Sequence, residues 1–204
     1  MATLAPKLSF KEQMHQARER AILQTACDLL GAKSFDAMTM DDVAGGVGIA
    51  KASLYKHFGS KEELCCAAMV EVLHLVNDFI TTLEPTLPPV TKLRAVVRWS
   101  LERQMAGEIP LLPSHNSSLR AVLMSNQDYA GSVERLSDTL GAWIVQAQAE
   151  GVLDPELPPL VVLYTLYARA CDTVAGLLLE SGLYQREDII ELVLRTCFDG
   201  LRSR

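Results

Sequence analysis

The stretch that decides the fold runs from residue 39 to residue 64 and reads TMDDVAGGVGIAKASLYKHFGSKEEL. Thr39 is suited to begin a helix, because its hydroxyl can accept a free backbone N–H two or three residues later. Gly48 is suited to end that helix, because glycine adopts a positive φ at little cost. The residues between them include four at the spacing of one buried helix face, Met40, Val43, Ala44 and Val47. The pattern predicts a short helix and a tight turn.

A second short helix is predicted over residues 50–57, directly after the turn. Leu54 and Phe58 are four residues apart, so both face inward. The outward positions are small, polar or cationic: Lys51, Ala52, Ser53, Tyr55, Lys56 and His57. The sequence has no carboxylate between residues 49 and 61. Such a helix fits a DNA major groove about 12 Å wide, and a helix-turn-helix presents its second helix to DNA in this way.

This stretch resembles the DNA-binding domain of TetR-family transcriptional regulators. The family pattern is T-x-x-D-[IV]-A, then G-[VI]-[SA]-x-[GA]-[ST]-[LI]-Y-x-[HY]-F, then S-K-E-x-L. The matching residues are Thr39, Asp42, Val43, Ala44, Gly48, Ile49, Ala50, Ala52, Ser53, Leu54, Tyr55, His57, Phe58, Ser60, Lys61, Glu62 and Leu64. Ala50 departs from the usual capping serine, so we expect the second helix to fray at its start. Gly45 and Gly46 replace long polar residues, and each weakens the first helix by roughly 1 kcal/mol relative to alanine.

The resemblance implies an all-α fold of about nine helices, with an N-terminal three-helix helix-turn-helix bundle and a C-terminal helical ligand-binding and dimerisation domain. We place the DNA-binding domain at residues 1–60, with residues 1–11 as a flexible arm, and the second domain at residues 61–204. The bundle is expected to pack around Phe35, Val43, Leu54 and Phe58. Apolar spacing predicts further helices over residues 13–31, 60–83, 91–106, 117–124, 128–150, 160–179 and 186–201. Ser60 and Glu63 have the spacing of a capping box.

The charges are unevenly distributed along the 204 residues, whose net charge is −6. Residues 1–64 carry eight Lys/Arg and eight Asp/Glu, so the acidic excess lies entirely in residues 65–204. This division indicates a DNA-facing end and a body that avoids DNA. The sequence has no signal-peptide pattern at its start and no uninterrupted apolar run near the ~20 residues of a membrane span, so we expect a cytoplasmic protein.

The candidate DNA contacts come from the second helix and its surroundings. Lys51 and Ser53 are predicted to reach base edges, and Ala52 to allow close approach. The family's matching positions imply phosphate contacts for Tyr55, Lys56, His57 and Lys61. Thr39 could offer its hydroxyl and nearby amides to a phosphate. Two alternatives stay open: the Tyr55 ring packs on the bundle, and Lys61 is a solvated residue at a helix start.

The last two predicted helices are apolar nearly all round, which predicts that they are covered on both sides. Two copies packing these helices would form a four-helix interface, as the resemblance also implies. The candidate interface residues are Ala168, Ala175, Gly176, Leu179, Ile190, Leu194 and Phe198. A homodimer would hold two reading helices about 34–36 Å apart, the repeat of successive major grooves.

The resemblance also implies that an unidentified small-molecule effector enters the body and changes the spacing or tilt of the reading helices. The candidate pocket residues break an apolar pattern or bring a polar tip to it: Trp99, Arg103, His115, Met124, Trp143, Tyr164, Tyr167, Arg169 and Asp172. For Trp143 and the two tyrosines the alternative is a place in the core. Arg169 and Asp172 could pair with each other. An unpaired Arg103 near a cavity would favour an acidic ligand.

No enzyme motif accompanies these features. The chain has no G-x-x-x-x-G-K-[ST], G-x-S-x-G or H-E-x-x-H. Its four histidines are scattered singly, and its five cysteines lack metal-site spacing and sit on apolar helical patterns, so we expect neither a metal site nor a cofactor. The expected function is a repressor that binds a palindromic operator as a dimer and is released by an effector. The alternative is a helical protein-interaction module without DNA binding, which leaves the carboxylate-free helix unexplained.

Overall fold

Helices make up the regular structure of the chain. A computed structural model of the protein describes residues 9–33, 35–110, 118–170 and 173–202. Within these residues the helical segments are Phe10–Ala32 (α1), Met40–Val47 (α2), Lys51–Leu54 (α3), Lys61–Thr82 (α4), Pro89–Met105 (α5), Ser118–Ser125 (α6), Gln127–Ala149 (α7), Pro159–Ala170 (α8), Thr173–Glu180 (α9) and Arg186–Leu201 (α10). The described part has no β-strand, only an isolated bridge between Leu153 and Arg202. The predicted all-α class is confirmed.

Side-chain caps set the starts of the first two helices. The Thr39 hydroxyl accepts the Asp42 N–H at 3.1 Å, and the Asp42 carboxylate accepts the Thr39 N–H at 2.9 Å. Ser9 and Glu12 form the same reciprocal box at α1. The helix therefore begins before residue 13, and residues 9–11 belong to its start rather than to a flexible arm. Residues 1–8 of that arm lie outside the described residues.

The turn follows the sequence pattern, whereas the length of α3 and the cap of α4 differ from it. Gly48 has φ 74° and ends α2, as predicted. Ala50 provides no side-chain cap, and the regular part of α3 covers only Lys51–Leu54 before a tight turn to residue 57. At α4, Ser60 caps the Glu63 N–H at 3.1 Å, but the Glu63 carboxylate accepts from Gly59 at 2.8 Å. The Glu63 carboxylate thus binds the N–H of Gly59 and not that of Ser60, so only half of the predicted capping box forms.

The first of two buried clusters holds the N-terminal bundle together. Phe35, Val43, Leu54 and Phe58 are all buried in it, as predicted. The start of α4 adds Leu64, Cys65, Cys66, Ala68 and Met69, and α6 adds Leu119 and Leu123. Burial raises the pKa of the Cys27 and Cys65 thiols to about 12, so both stay protonated at neutral pH. These cysteines are core residues.

The second cluster is built mainly from α5, α7, α8 and α10, with Leu101, Ile144, Val162 and Leu194 among its most buried members. The later part of α4 contributes Val76. Leu75, the neighbour of Val76, is instead 41% exposed. Since α4 serves both clusters, the packing does not divide sharply at residue 60, and that domain boundary stays a prediction.

The remaining boundaries differ in small ways from the expected ones. The fifth helix begins at Pro89, because proline is accepted in the first turn of a helix. The helix predicted over residues 160–179 is described as α8 and α9 on either side of residues 171 and 172, which lie outside the described part. By length and composition alone, Lys61–Thr82 and Pro159–Glu180 would also suit a membrane span. In the fold, α4 instead carries core residues of both clusters.

Candidate nucleic-acid interface and ligand cavity

The outer face of α3 is the surface that the sequence assigned to DNA. Lys51, Ala52, Tyr55 and Lys56 are exposed there, while Ser53 is half-buried. The Tyr55 side chain is 45% exposed, so its ring is partly packed and its remainder faces outward. Leu54 and Phe58 anchor the opposite face in the first cluster. The face is therefore presented by a fixed turn and two buried anchors.

Lys51 on α3 pairs with a carboxylate from a different helix. Its Nζ lies 2.8 Å from Oδ2 of Asp41, which α2 contributes. The hydrogen bond and the charge of that carboxylate raise the pKa of Lys51 above its ordinary value. Any base or phosphate contact by Lys51 must therefore compete with Asp41.

Lys56 and Lys61 have different surroundings. Lys56 is exposed and has no ion pair or hydrogen bond in the described part of the chain. Lys61 donates from Nζ to the carbonyls of Phe35 at 2.9 Å and Met38 at 3.2 Å, and its Nζ lies 4.3 Å from the centroid of the Phe35 ring. Lys61 thus secures the segment between α1 and α2, which differs both from the predicted phosphate contact and from a solvated side chain.

Thr39 is exposed, but its hydroxyl is already used. The hydroxyl donates to Oδ2 of Asp42 at 2.8 Å while accepting the Asp42 N–H. The hydrogen bond from the Thr39 hydroxyl is the largest cause of a lowered pKa of Asp42. The hydrogen bond from Lys33, at 3.1 Å, is the next largest. A phosphate contact by the Thr39 hydroxyl would have to replace its bond to Asp42.

His57 lies against α1 and is half-buried. Its ring centroid is 4.5 Å from that of His15, so the interpretation of four isolated histidines is wrong for these two. Nδ1 of His57 is buried without a hydrogen-bond partner among the described residues. Burial, and next the nearby His15, lower the pKa of His57. This placement gives little support to the predicted phosphate contact.

Gly46 has a packing reason that the sequence did not reveal. A Cβ added there would lie 2.6 Å from Cγ2 of Thr25 on α1, whereas one added at Gly45 would meet nothing within 4 Å. Glycine at position 46 therefore permits close approach of α1 and α2. Glycine lowers the helix propensity of α2, but any larger residue at position 46 would have to displace Thr25.

A cavity of about 360 Å³ lies in the body between α4, α5, α6, α7 and α8. Its lining is predominantly apolar, with Leu73, Val76, Val96 and Leu140 among the contributors. Four predicted pocket residues do line it: Trp99, Met124, Tyr164 and Tyr167. The Tyr167 hydroxyl is 2.9 Å from Oγ of Ser137, and burial raises the pKa of the phenol. The arrangement suits an apolar ligand held by a few polar groups.

Other predicted pocket residues lie elsewhere. Arg103 pairs with Glu108, and its guanidinium lies over the Trp99 ring at 5.6 Å from the ring centroid, so it is not an unpaired cation. Trp143 packs on the second cluster, with Nζ of Lys92 at 5.5 Å from its ring centroid. Arg169 is not part of the lining. His115 and Asp172 lie outside the described residues.

Three polar lining residues were missed by the sequence analysis: Ser100, Arg120 and Tyr129. Arg120 is exposed and forms no ion pair within the described residues. Its position on α6 carries no signal in the sequence, because only the packing of α6 against α4 and α7 brings it to the cavity. It is a cation at the rim of an otherwise apolar site.

Two residues belong to both parts of the molecule. Met69 on α4 and Leu123 on α6 are buried in the first cluster and also line the cavity. Both side chains therefore belong to the same buried cluster as Leu54 of α3 while also facing the cavity.

The predicted dimer residues separate into two groups by burial. Ala168, Gly176 and Leu179 are exposed. The remaining four, Ala175, Ile190, Leu194 and Phe198, are at most 5% exposed within one chain. They pack inside one chain and have almost no surface to offer a second copy. Large exposed apolar residues nearby are Leu160, Val161, Tyr164, Val174, Leu177 and Leu192.

Comparison with known proteins agrees with the geometry of α2 and α3. The family model described as "Bacterial regulatory proteins, tetR family" matches residues 22–68. The HTH-type transcriptional regulator RutR of Escherichia coli (strain K12) is 23% identical over 198 residues, covering 92% of this chain and 92% of that protein. The family-model match places the resemblance to the tetR family on residues 22–68, which include α2 and α3. The regulator BetI of Rhizobium meliloti (strain 1021) is 29% identical over 91 residues, which span 44% of this chain and 45% of BetI.

Two solved structures share the fold of this chain. FadR from Bacillus subtilis in complex with stearoyl-CoA gives a TM-score of 0.63 at 15% identity, covering 90% of this chain and 99% of FadR. AibR in complex with isovaleryl coenzyme A and operator DNA gives 0.60 at 22% identity, covering 89% and 98%. The curated relatives that match are named as HTH-type transcriptional regulators, which favours the prediction of a DNA-binding regulator over that of an interaction module.

Proposed function

We propose that this chain is a TetR-family repressor that binds a palindromic operator as a homodimer and releases it when a short acyl thioester of coenzyme A occupies the cavity. The observation that carries the proposal is the double role of Met69 and Leu123, which are buried in the same cluster as Val43 of α2 and Leu54 of α3 and also line the cavity. A ligand that favours one arrangement of these side chains shifts the molecule toward the matching position of α3. Such a regulator acts on DNA in the cytoplasm.

The operator contacts are assigned from the exposed face of α3. Lys56 is the strongest phosphate candidate, because no described residue competes for its charge. Lys51, Ser53 and Tyr55 are candidates for base edges and the adjoining backbone, with Lys51 exchanging Asp41 for DNA. Ala52 allows close approach. Thr39, His57 and Lys61 act mainly by positioning α2 and α3, given the contacts that each already makes within the chain.

The effector class follows from the lining and size of the cavity. A volume of about 360 Å³ is near the lower end of the roughly 300–1,000 Å³ of ligand pockets, which favours a short acyl group over a long chain. The exposed guanidinium of Arg120 at the rim is placed to pair with a phosphate group. Relatives of the same fold were solved with stearoyl-CoA and with isovaleryl coenzyme A, which supports the thioester class.

The homodimer is assigned to the exposed apolar surface of α8 and α9. Val161, Tyr164 and Ala168 on α8, with Leu177 and Leu179 on α9, expose apolar surface that a second copy would cover. Burial of such a surface is favourable by about 25 cal/mol per Å². The symmetric contact would place both α3 helices on the same side of one duplex.

The test begins with selection of bound duplexes from a random library, because selection identifies the operator directly. Fluorescence anisotropy at one fixed salt concentration then measures affinity in the presence of isovaleryl-CoA, stearoyl-CoA or free coenzyme A. We expect a palindrome with half-sites about 34–36 Å apart. Isovaleryl-CoA should weaken binding about 5- to 150-fold, and the other two should not. Failure to select any sequence would refute the DNA-binding proposal, and equal affinity with and without isovaleryl-CoA would refute the effector assignment.

A further inference from the structure

We propose that His15, Glu19 and His57 form a binding site for a divalent transition metal ion of the Zn²⁺ class. The ion would bridge α1 and the turn that follows α3. One ligand atom from each residue lies within 4.8 Å of the other two. Nδ1 of His15 is 3.6 Å from Oε2 of Glu19 one helical turn away, and the two imidazole centroids are 4.5 Å apart. The inference is independent of the effector cavity.

The donor set matches the chemistry of borderline divalent ions. Imidazole nitrogen and carboxylate oxygen are ordinary zinc ligands, and three protein ligands leave the fourth tetrahedral position to water. At metal–ligand distances of about 2.0–2.2 Å the ligand atoms stand roughly 3.3 Å apart, so the three side chains must close by about 1–1.5 Å. His15 can do so by rotation, because its side chain is 62% exposed. Hard cations such as Mg²⁺ prefer an all-oxygen set.

The surroundings contain one feature in favour of a cation and one against it. Nδ1 of His57 is buried without a hydrogen-bond partner in the described part of the chain, so this imidazole has unused capacity at the junction. The positive charge of Arg18 reaches His57 and opposes a cation, while the charge of Glu19 acts in the opposite direction. Two imidazole bonds and one carboxylate must therefore outweigh a single neighbouring guanidinium.

A bridging metal would act on the segment that faces DNA. His57 follows Tyr55 and Lys56 directly, whereas His15 and Glu19 belong to α1. Coordination would therefore fix the end of α3 against α1. Zinc should accordingly slow hydrogen exchange of the backbone amides of residues 51–58, an effect that metal held by α1 alone would not produce.

The experiment uses the full chain without an affinity tag and ZnCl₂ as the probe. Competition with a chromophoric chelator measures zinc affinity in the wild type, His15→Ala, His57→Gln and the control His74→Ala. His74 lies 3.8 Å from Glu71 on α4 and joins no three-ligand group among the described residues. We expect one zinc per chain and at least tenfold weaker binding in the first two variants. We expect unchanged binding in the control, and slower exchange over residues 51–58 only in chains with all three ligands.

Two outcomes would overturn the proposal. One is zinc binding that His57→Gln leaves unchanged, because the ion would then be held without the bridge. The other is the absence of zinc binding in a wild type whose circular dichroism shows it to be folded. His15→Ala changes an exposed side chain and should keep the fold, so a loss of binding in that variant is attributable to the ligand. Zinc affinity of a further variant, His115→Ala, tests whether the fourth histidine contributes to binding.

Discussion

Gly45 and Gly46 are neighbours in α2 but meet different surroundings. Position 45 is open, so Gly45→Ala should raise the free energy of unfolding by about 0.5–1 kcal/mol through helix propensity. Position 46 touches Thr25, so Gly46→Ala should lower it by about 1–3 kcal/mol through overpacking. Urea unfolding of both variants measures the difference. Equal effects would show that the close approach of α1 and α2 is unimportant.

Lys56 and Lys61 are predicted to fail in different ways when truncated. Lys56→Ala should weaken operator binding and reduce the slope of log affinity against log salt by about 1, because one phosphate contact is lost. Lys61→Ala should leave that slope unchanged. It should instead lower the free energy of unfolding by about 1–3 kcal/mol, because the partly buried carbonyls of Phe35 and Met38 lose a charged donor. Salt titrations and thermal melts separate the two. A slope change in Lys61→Ala alone would reverse the assignment.

Features decided by neighbouring residues could be predicted from the sequence. The Thr39 cap and the positive φ of Gly48 depend only on groups within a turn of each other. The partner of Lys51 comes from another helix, and the carbonyls that hold Lys61 come from the segment before α2. No local pattern encodes these contacts, because the chain closes them only after the helices have packed. The meeting of His15 and His57 is of the same kind.

Among the helices, α4 connects the two parts of the molecule, because its residues are buried in both clusters. Several positions fit a helical period, and only packing against α7 decides between Leu75 and Val76. The final helix was predicted with its observed bounds, Arg186–Leu201, because its apolar face is continuous and it ends in no competing proline. The walls of the cavity come from five helices, so the sequence indicated only four of its lining residues, Trp99, Met124, Tyr164 and Tyr167.

Val76 lines the cavity from α4, while Leu75 beside it does not. Val76→Phe should project a ring into the cavity and weaken isovaleryl-CoA binding at least tenfold, with operator affinity unchanged. Leu75→Phe adds the same ring on the exposed side and should change neither. Calorimetric titration of the thioester and anisotropy with the operator measure the two affinities. Unchanged thioester binding in Val76→Phe would place the ligand elsewhere.

For the whole molecule, the proposed dimer rests on exposed apolar surface and not on the buried positions first assigned to it. Ala168→Glu places a charge on the exposed face of α8 and should convert the dimer into monomers in sedimentation velocity. Ala142→Glu makes the same change on an exposed position of α7 and should leave the dimer intact. A charge at Ala175 would be a poor test, because that residue is 1% exposed and the core itself would be disturbed. A dimer that survives Ala168→Glu would require a different interface.

The acidic excess of residues 65–204 and the charge-neutral first 64 residues fit a molecule that turns only one end toward DNA. The proposed function requires that the cavity and that end are thermodynamically coupled. Coupling is reciprocal, so an effector that weakens operator binding by some factor must itself bind the operator complex more weakly by the same factor.

Calorimetric titration of isovaleryl-CoA into the free protein and into the operator complex measures this factor directly. We expect the two affinities for isovaleryl-CoA to differ about 5- to 150-fold, and by the same factor that anisotropy gives for the operator. Equal affinities for the free and operator-bound protein would contradict the proposed coupling.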